Sequence, residues 1–125
     1  MIRPRIFISA CSEELRSARL KVAAVIRTLG FDPVTQDDFP TGRGELLDWL
    51  REQILACDGL LQLVGQGYGA EPPEADPEFG RISYTQFEFR FAHQRGKRTW
   101  VVIVGAGCRR DKTPDQLDLP RDTRH

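Results

Sequence analysis

The chain has 125 residues, of which 18 are Lys or Arg and 18 are Asp or Glu, so its formal net charge is zero. This balance argues against a polybasic nucleic-acid binder and an acidic disordered tail, and we expect no direct nucleic-acid partner. The longest apolar run, residues 100–104, is far shorter than the roughly 20 residues of a membrane helix, and no signal peptide is evident, which predicts a cytoplasmic protein.

The first strand and the first helix are predicted from residues 5–30. Bulky apolar residues dominate Arg5-Ile-Phe-Ile-Ser9, a pattern typical of a strand covered on both faces. Ser12 is a candidate N-cap, and Glu13 and Glu14 favour a helix N-terminus after it. Gly30 predicts the end of that helix. Its apolar positions recur at helical spacing: Leu15, Ala18, Val22, Val25, Ile26 and Leu29.

The middle of the chain predicts a strand, a loop, a helix and a strand. Residues 31–36 form the second strand, and Pro33 places it at a sheet edge because proline cannot donate a ladder hydrogen bond. A loop over residues 37–44 precedes a helix that starts at Glu45. Residues 59–64 are predicted as the third strand.

A long irregular connection separates the third strand from the third helix. It opens with glycines over residues 65–69 and continues with prolines and acids to residue 78. Ser83 and Gln86 form a capping-box pattern for a helix that ends at Gly96. Residues 99–104 are predicted as the fourth strand.

Alternation of four strands with three helices predicts an α/β fold, a parallel sheet with helices on both faces. The prolyl second strand favours the flavodoxin-like order 2-1-3-4, which places that strand at the rim. We expect a domain over residues 1–108, followed by a polar tail or truncated continuation over residues 109–125.

Ligands bind such sheets beyond the carboxyl ends of the strands, where the winding reverses. Here that crevice lies between the first and third strands. It is predicted to be lined by residues 9–12, 37–44 and 65–68 and by the start of the third helix.

Tyr84 and Glu88 are the most informative pair for function. A spacing of four places both on one helix face, one turn apart, together with apolar residues. A carboxylate in such surroundings has the perturbed pKa that suits catalysis. From spacing alone, a surface ion pair of Glu88 with Arg90 or Arg95 is an equally good interpretation.

Other polar residues give weaker signals. The glycines of residues 65–69 do not match G-x-G-x-x-G. Cys11 lies at a helix N-terminus, which favours a thiolate, but without a histidine partner we expect it to pack. Asp37 and Asp38 are either acceptors for ligand hydroxyls or loop caps. Arg16 and Arg19 are explained by a solvated charged face unless the ligand carries phosphate.

No metal site is expected. The three cysteines, Cys11, Cys57 and Cys108, form no C-x-x-C pair, and their spacing does not suit zinc. Without a secretion signal we expect these thiols to be reduced.

Several segments together resemble a TIR (Toll/interleukin-1 receptor) domain. They are Arg5-Ile-Phe-Ile-Ser9, Gly30-Phe31, Asp37-Asp38, Ala56-Cys57-Asp58 and Tyr84-x-x-x-Glu88. More narrowly, residues 64–69 and 81–86 resemble a bacterial TIR-like family found at the N-termini of multidomain proteins. The resemblance covers residues 4–104 and implies a flavodoxin-like sheet of four to five strands, order 2-1-3-4-5.

The resemblance also implies an activity, because many TIR domains hydrolyse NAD+ at the bond between nicotinamide and ribose. Glu88 matches the catalytic glutamate, and Tyr84 matches an aromatic residue that is tryptophan in many of these enzymes. The remaining substrate-binding candidates come from the loops that line the crevice: Ser9, Ala10, Cys11, Asp38, Phe39, Gly65, Tyr68 and Ser83.

We therefore expect an NAD+ glycohydrolase domain of a bacterial defence protein, with NAD+ as substrate and no cofactor. We expect self-association to activate it, and further domains of a longer chain to drive that assembly, since a fifth strand is not evident. Two alternatives remain open. One is a non-catalytic TIR scaffold that acts by homotypic contacts, and the other is a nucleoside deoxyribosyltransferase-like enzyme.

Overall fold

The computed structural model describes residues 3–40, 45–105 and 107–112. In chain order its elements are β1 (Arg5–Ser9), α1 (Ser12–Thr28), β2 (Asp32–Thr35), a 3-10 turn (Gln36–Asp38), α2 (Leu46–Ala56), β3 (Gly59–Val64), α3 (Tyr84–Gln94) and β4 (Arg98–Ile103). The predicted strands and helices are confirmed, with β4 starting one residue before the expected position.

The strands form a parallel sheet of order β2-β1-β3-β4, which confirms the predicted flavodoxin-like arrangement. In the centre of the sheet, Phe7 of β1 pairs with Leu60 of β3. Pro33 pairs with Ile6 on the edge strand β2, where its missing N–H leaves no ladder partner unsatisfied. The sheet therefore reverses its winding between β1 and β3.

The helix ends follow local chemistry, with one exception. Gly30 and Gly96 adopt positive φ angles of 98° and 73° just after α1 and α3, a conformation that costs glycine little. Ser83 caps α3 by accepting a hydrogen bond from the Gln86 N–H. The expectation that Ser12 caps α1 is wrong, because Cys11 is the N-cap and makes no side-chain cap bond.

The main core lies on the sheet face that carries α2 and α3. Phe7 and Leu60 point to this face and are fully buried, and burial of each large apolar side chain stabilises the fold by roughly 1.5–3 kcal/mol. The core residues are Phe7, Val34, Leu50, Ile54, Cys57, Leu60, Ile82, Phe87, Phe91 and Ala92. A smaller cluster of Ala10, Leu15 and Leu63 joins α1 to the opposite face.

Strand β4 remains exposed on both faces in the described part of the chain. Val101 and Ile103 of this strand are 52% and 80% exposed, and Trp100 and Val102 are also exposed. Trp100 and Val102 line an apolar groove of about 540 Å³ together with Phe31, which directly precedes β2. This groove lies on the sheet face that packs against α1, and α1 covers only part of that face.

The described residues that follow β4 return to α1. The Asp111 N–H donates to the Glu14 carbonyl at 2.8 Å, and the Asp111 carboxylate accepts from the Ser17 N–H at 2.9 Å. Lys112 forms an ion pair with Glu13 at 2.7 Å. Residues 109–112 of the expected tail are thus bound to the domain, whereas residues 113–125 lie outside the described residues. Over the ranges that the structure describes, no helix is long and apolar enough to span a membrane.

Candidate functional site

A polar cluster lies at the carboxyl ends of β1 and β3, at the reversal of the winding, with Ser9 and Glu88 buried and Gln62 half-buried. Ser9 ends β1, Gln62 lies on β3, and Glu88 comes from α3. The Ser9 hydroxyl donates to Glu88 Oε1 at 2.6 Å, and Gln62 Nε2 donates to Ser9 Oγ at 3.2 Å and to the Thr85 carbonyl at 2.8 Å. Two predicted site residues, Ser9 and Glu88, are therefore in direct contact.

Glu88 is 1% exposed, so its carboxyl group is almost completely removed from water. Its second oxygen, Oε2, has no hydrogen-bond partner among the described residues. Burial raises the pKa of Glu88 to about 7, although the hydrogen bond from Ser9 and the positive charge of Arg19 act in the opposite direction. The carboxyl group thus changes protonation state near neutral pH.

The alternative of a surface ion pair for Glu88 is wrong. Arg95 instead forms a bidentate pair with Glu78 at 3.0 and 3.2 Å, and its guanidinium lies 4.4 Å from the centre of the Phe91 ring. The cation that acts on Glu88 is Arg19 of α1, whose positive charge lowers the pKa of Glu88.

Arg19 is buried, which contradicts the solvated face expected for it. Its side chain is 1% exposed, whereas that of Arg16 is 61% exposed. Arg19 Nη1 donates to the Ala10 carbonyl at 3.0 Å, and its Nε donates to Asp37 at 3.1 Å. Burial raises the pKa of Asp37, but the hydrogen bond from Arg16 and the charge of Arg19 outweigh it, so the net pKa is lowered. Asp37 thereby connects the loop after β2 to α1.

The loop after β2 is held by contacts of its own. The Asp38 carboxylate accepts from the Thr35 N–H at 2.9 Å and completes a capping box around the 3-10 turn, which is the loop-cap role considered for it. The Phe39 ring packs edge-to-face on Trp49 at 5.5 Å between centroids. In the described residues, neither contact joins the loop to Glu88.

The glycine-rich loop after β3 surrounds a second buried carboxylate, Glu14, which the sequence patterns did not single out as a site residue. Glu14 Oε1 accepts from the N–H groups of Gln66 and Gly67, both at 2.8 Å. Arg110 Nε donates to Glu14 Oε2 at 2.8 Å. A Cβ atom at Gly65 would overlap this carboxylate, so the close approach of loop and helix requires glycine.

The other predicted loop residues make internal contacts. Cys11 is buried, and burial raises its pKa, so the thiolate expected at a helix N-terminus is not favoured and packing is confirmed. The Tyr68 hydroxyl donates to Glu71 at 2.9 Å. Ser83 Oγ is the cap of α3, at 3.2 Å from the Gln86 nitrogen.

Tyr84 borders a cleft of about 240 Å³ between the start of α2 and the connection after β3. The cleft walls are mostly apolar, with Leu46, Leu47, Pro72 and Pro73, and the acids Glu45 and Glu74 also line it. Burial raises the pKa of Tyr84, and the negative charge of Glu45 adds to this effect. Tyr84 is thus accessible from the cleft, whereas Glu88, one helical turn further, is enclosed.

The buried Glu88 carboxylate can take part in charge stabilisation and in proton transfer. A carboxylate with one free oxygen in a dry site stabilises a positive charge or transfers a proton near neutral pH. Within the ranges that the structure describes, no group of three or more His, Cys, Asp or Glu side chains is placed to hold a metal ion.

A family model described as a domain of unknown function, DUF4062, matches residues 5–121. Its span includes the polar cluster, the Glu14 site and the segment that carries Arg110. A comparison with curated proteins found no match.

Proposed function

We propose that this chain, which belongs to the DUF4062 family, is a TIR-type NAD+ glycohydrolase domain that cleaves the bond between nicotinamide and ribose. The observation that carries the proposal is Glu88: a buried carboxylate with a free oxygen, Oε2, at the carboxyl end of a parallel sheet. The resemblance of Tyr84-x-x-x-Glu88 to TIR enzymes supports the same assignment.

Hydrolysis of this bond needs a negative charge beside the ribose. As the C–N bond breaks, its electron pair leaves with nicotinamide as a neutral ring, and positive charge develops on the ribose carbon. The Glu88 carboxylate stabilises that charge through Oε2. Water then forms the new C–O bond and releases one proton, which Glu88 can accept because its pKa is about 7.

Access to Glu88 is the second part of the proposal. In the isolated chain the carboxyl group is 1% exposed, so NAD+ cannot reach it without a rearrangement. We propose that self-association of copies, in the cytoplasm and within a bacterial defence protein, opens the site from the Tyr84 cleft. The isolated chain is then nearly inactive and assembly switches it on.

The test brings the 125-residue chain together on an inducible oligomerisation module and measures NAD+ loss chromatographically. Assembled wild type should consume NAD+ and release nicotinamide, and the second product shows whether the ADP-ribose is linear or cyclic. Glu88→Gln should abolish the loss. Glu52→Gln, which changes an exposed glutamate of α2, should leave it intact. If assembled wild type leaves NAD+ unchanged, the proposal is refuted.

A second candidate function is a non-catalytic TIR scaffold. The hydrogen bond of Glu88 to Ser9 and the complete enclosure of the carboxyl group also suit a residue that only orders the core. In a cell-toxicity assay a scaffold would tolerate Glu88→Gln and would lose signalling when the loop after β2 is changed by Phe39→Ala. The proposed enzyme would instead lose its toxicity when Glu88 is changed to glutamine. Base exchange on a deoxynucleoside in the chromatographic assay would instead indicate a deoxyribosyltransferase.

A further inference from the structure

Gln62 is an unusual residue for its position in the sheet. It lies on the central strand β3 between Leu61 and Leu63, and the alternation of the strand places it on the same face as the fully buried Leu60. Gln62 is half-buried, and the part of its amide that is removed from water is costly unless it is hydrogen-bonded. Its contacts therefore indicate why a polar side chain is present.

The orientation of the Gln62 amide follows from the Thr85 carbonyl. A carbonyl oxygen only accepts hydrogen bonds, so the amide atom that lies 2.8 Å from it is the nitrogen. The same nitrogen lies 3.2 Å from Ser9 Oγ and donates to it. Gln62 thus bridges the sheet and the first turn of α3.

The direction of the next hydrogen bond follows in turn. A serine hydroxyl has one proton, and with Oγ accepting from Gln62 that proton is directed at Glu88 Oε1, 2.6 Å away. Oε1 is therefore committed as an acceptor. Oε2, which is buried and accepts no hydrogen bond from the described residues, therefore carries the proton of the neutral acid or the unpaired lone pairs of the carboxylate.

We propose that Gln62 is a positioning residue that acts through Ser9 to make Oε2 the reacting oxygen of Glu88. The reaction itself rests on the proposed function, but the hydrogen-bond chain exists without substrate. The cation that acts on the carboxylate electrostatically is Arg19 of α1, whose guanidinium is fixed by Asp37 and the Ala10 carbonyl. Gln62 carries no charge and acts only by orienting the hydroxyl.

The first test titrates the Glu88 carboxyl group by NMR in the 125-residue chain, without NAD+. Ser9→Ala removes a hydrogen bond that lowers the pKa of Glu88, so its proton affinity should rise roughly three- to tenfold. Gln62→Met keeps a similar side-chain volume but removes the hydrogen bond to Ser9, so it should also raise the proton affinity of Glu88. Gln94→Met changes an exposed glutamine of α3 and should leave the titration unchanged.

The double variant distinguishes positioning from a merely local effect. If Gln62 acts through Ser9, Gln62→Met should have no further effect on the Glu88 titration once Ser9→Ala is present. An unchanged titration in Gln62→Met, or effects that add fully in the double variant, overturns the inference. Should Gln62→Met not fold, Gln62→Leu takes its place in the same measurements, and an unchanged Glu88 titration in Ser9→Ala overturns the inference by itself.

A kinetic readout separates this inference from the proposed function. In the assembled protein, Gln62→Met should lower kcat for NAD+ loss roughly tenfold with little change in KM, and shift the midpoint of the pH–rate profile upward with the pKa of Glu88. If Gln62→Met alters the Glu88 titration but the assembled wild type consumes no NAD+, the positioning role of Gln62 is supported and the proposed enzyme is refuted. If the wild type consumes NAD+ in a Glu88-dependent way but Gln62→Met titrates normally, the proposed enzyme is supported and the positioning role is refuted.

Discussion

Replacing Glu88 with glutamine should stabilise the domain at alkaline pH. Ionisation of a carboxyl group that is 1% exposed requires a negative charge to remain almost without water, with one oxygen unpaired. Glutamine keeps the shape of the side chain and its Oε1 acceptor for Ser9 but never ionises. The variant therefore removes the cost of the charge while leaving the packing of α3 in place.

The magnitude follows from the pKa of Glu88, which burial raises from 4.5 to about 7. Between these values the folded state binds more protons than the unfolded state, so stability falls as pH rises. With about 1.4 kcal/mol for each pKa unit, the wild type should lose roughly 2–3 kcal/mol between pH 5 and pH 8 through this group. For a domain with a stability of roughly 5–15 kcal/mol, that is a large fraction.

Urea denaturation of wild type and Glu88→Gln at pH 5, 6, 7 and 8 measures this difference directly. The free energy of unfolding of the variant should exceed that of the wild type by an amount that grows with pH and levels off above the pKa of Glu88. Glu52→Gln, at an exposed position of α2, should follow the wild-type curve. Equal pH dependence in wild type and Glu88→Gln would refute the reasoning, since it would mean that burial does not raise the pKa.

Three further substitutions test the buried contacts. Arg110→Ala removes the counter-ion of the fully buried Glu14 carboxylate and should cost roughly 3 kcal/mol in urea denaturation at pH 7, with recovery when Glu14→Gln is added. Gly65→Ala places a methyl group against Glu14 and should lower the unfolding free energy by about 1–3 kcal/mol. Arg19→Ala should be strongly destabilising, whereas Arg16→Ala, on a side chain that is 61% exposed, should cost less than about 1 kcal/mol; similar effects would contradict the assigned burial.

The fold could be predicted from the sequence because its signals are local. The run Arg5–Ser9, the left-handed Gly30 and the cap Ser83 each act within a few residues of their own position. Pro33 adds a long-range constraint, because a residue without an N–H fits only an edge strand. These signals suffice for the element order and for the order of the strands.

The candidate site could be predicted only where spacing decides it. The spacing of four placed Glu88 on the same face of α3 as Tyr84 but left a surface ion pair equally open, and only the structure shows that Glu88 is buried. Spacing could not distinguish Arg16 from Arg19, because residues three apart share one helix face and only the packed tertiary structure determines which is covered. Gln62 was not identified, because it lies in the apolar strand β3 and a single polar residue there does not change the hydrophobic pattern that predicts a strand. A polar residue inside a continuous apolar run was the signal that could have found it.

The path of residues 107–112 has a consequence for how this domain is joined to others. Lys112 lies against Glu13, at the end of α1 that adjoins the carboxyl edge of the sheet. A module fused after residue 112 therefore begins on the same edge as Glu88, whereas a fusion made after residue 108 would discard Arg110 and leave Glu14 without its counter-ion. The choice of junction decides both the integrity of the domain and the direction from which a neighbouring module approaches its crevice.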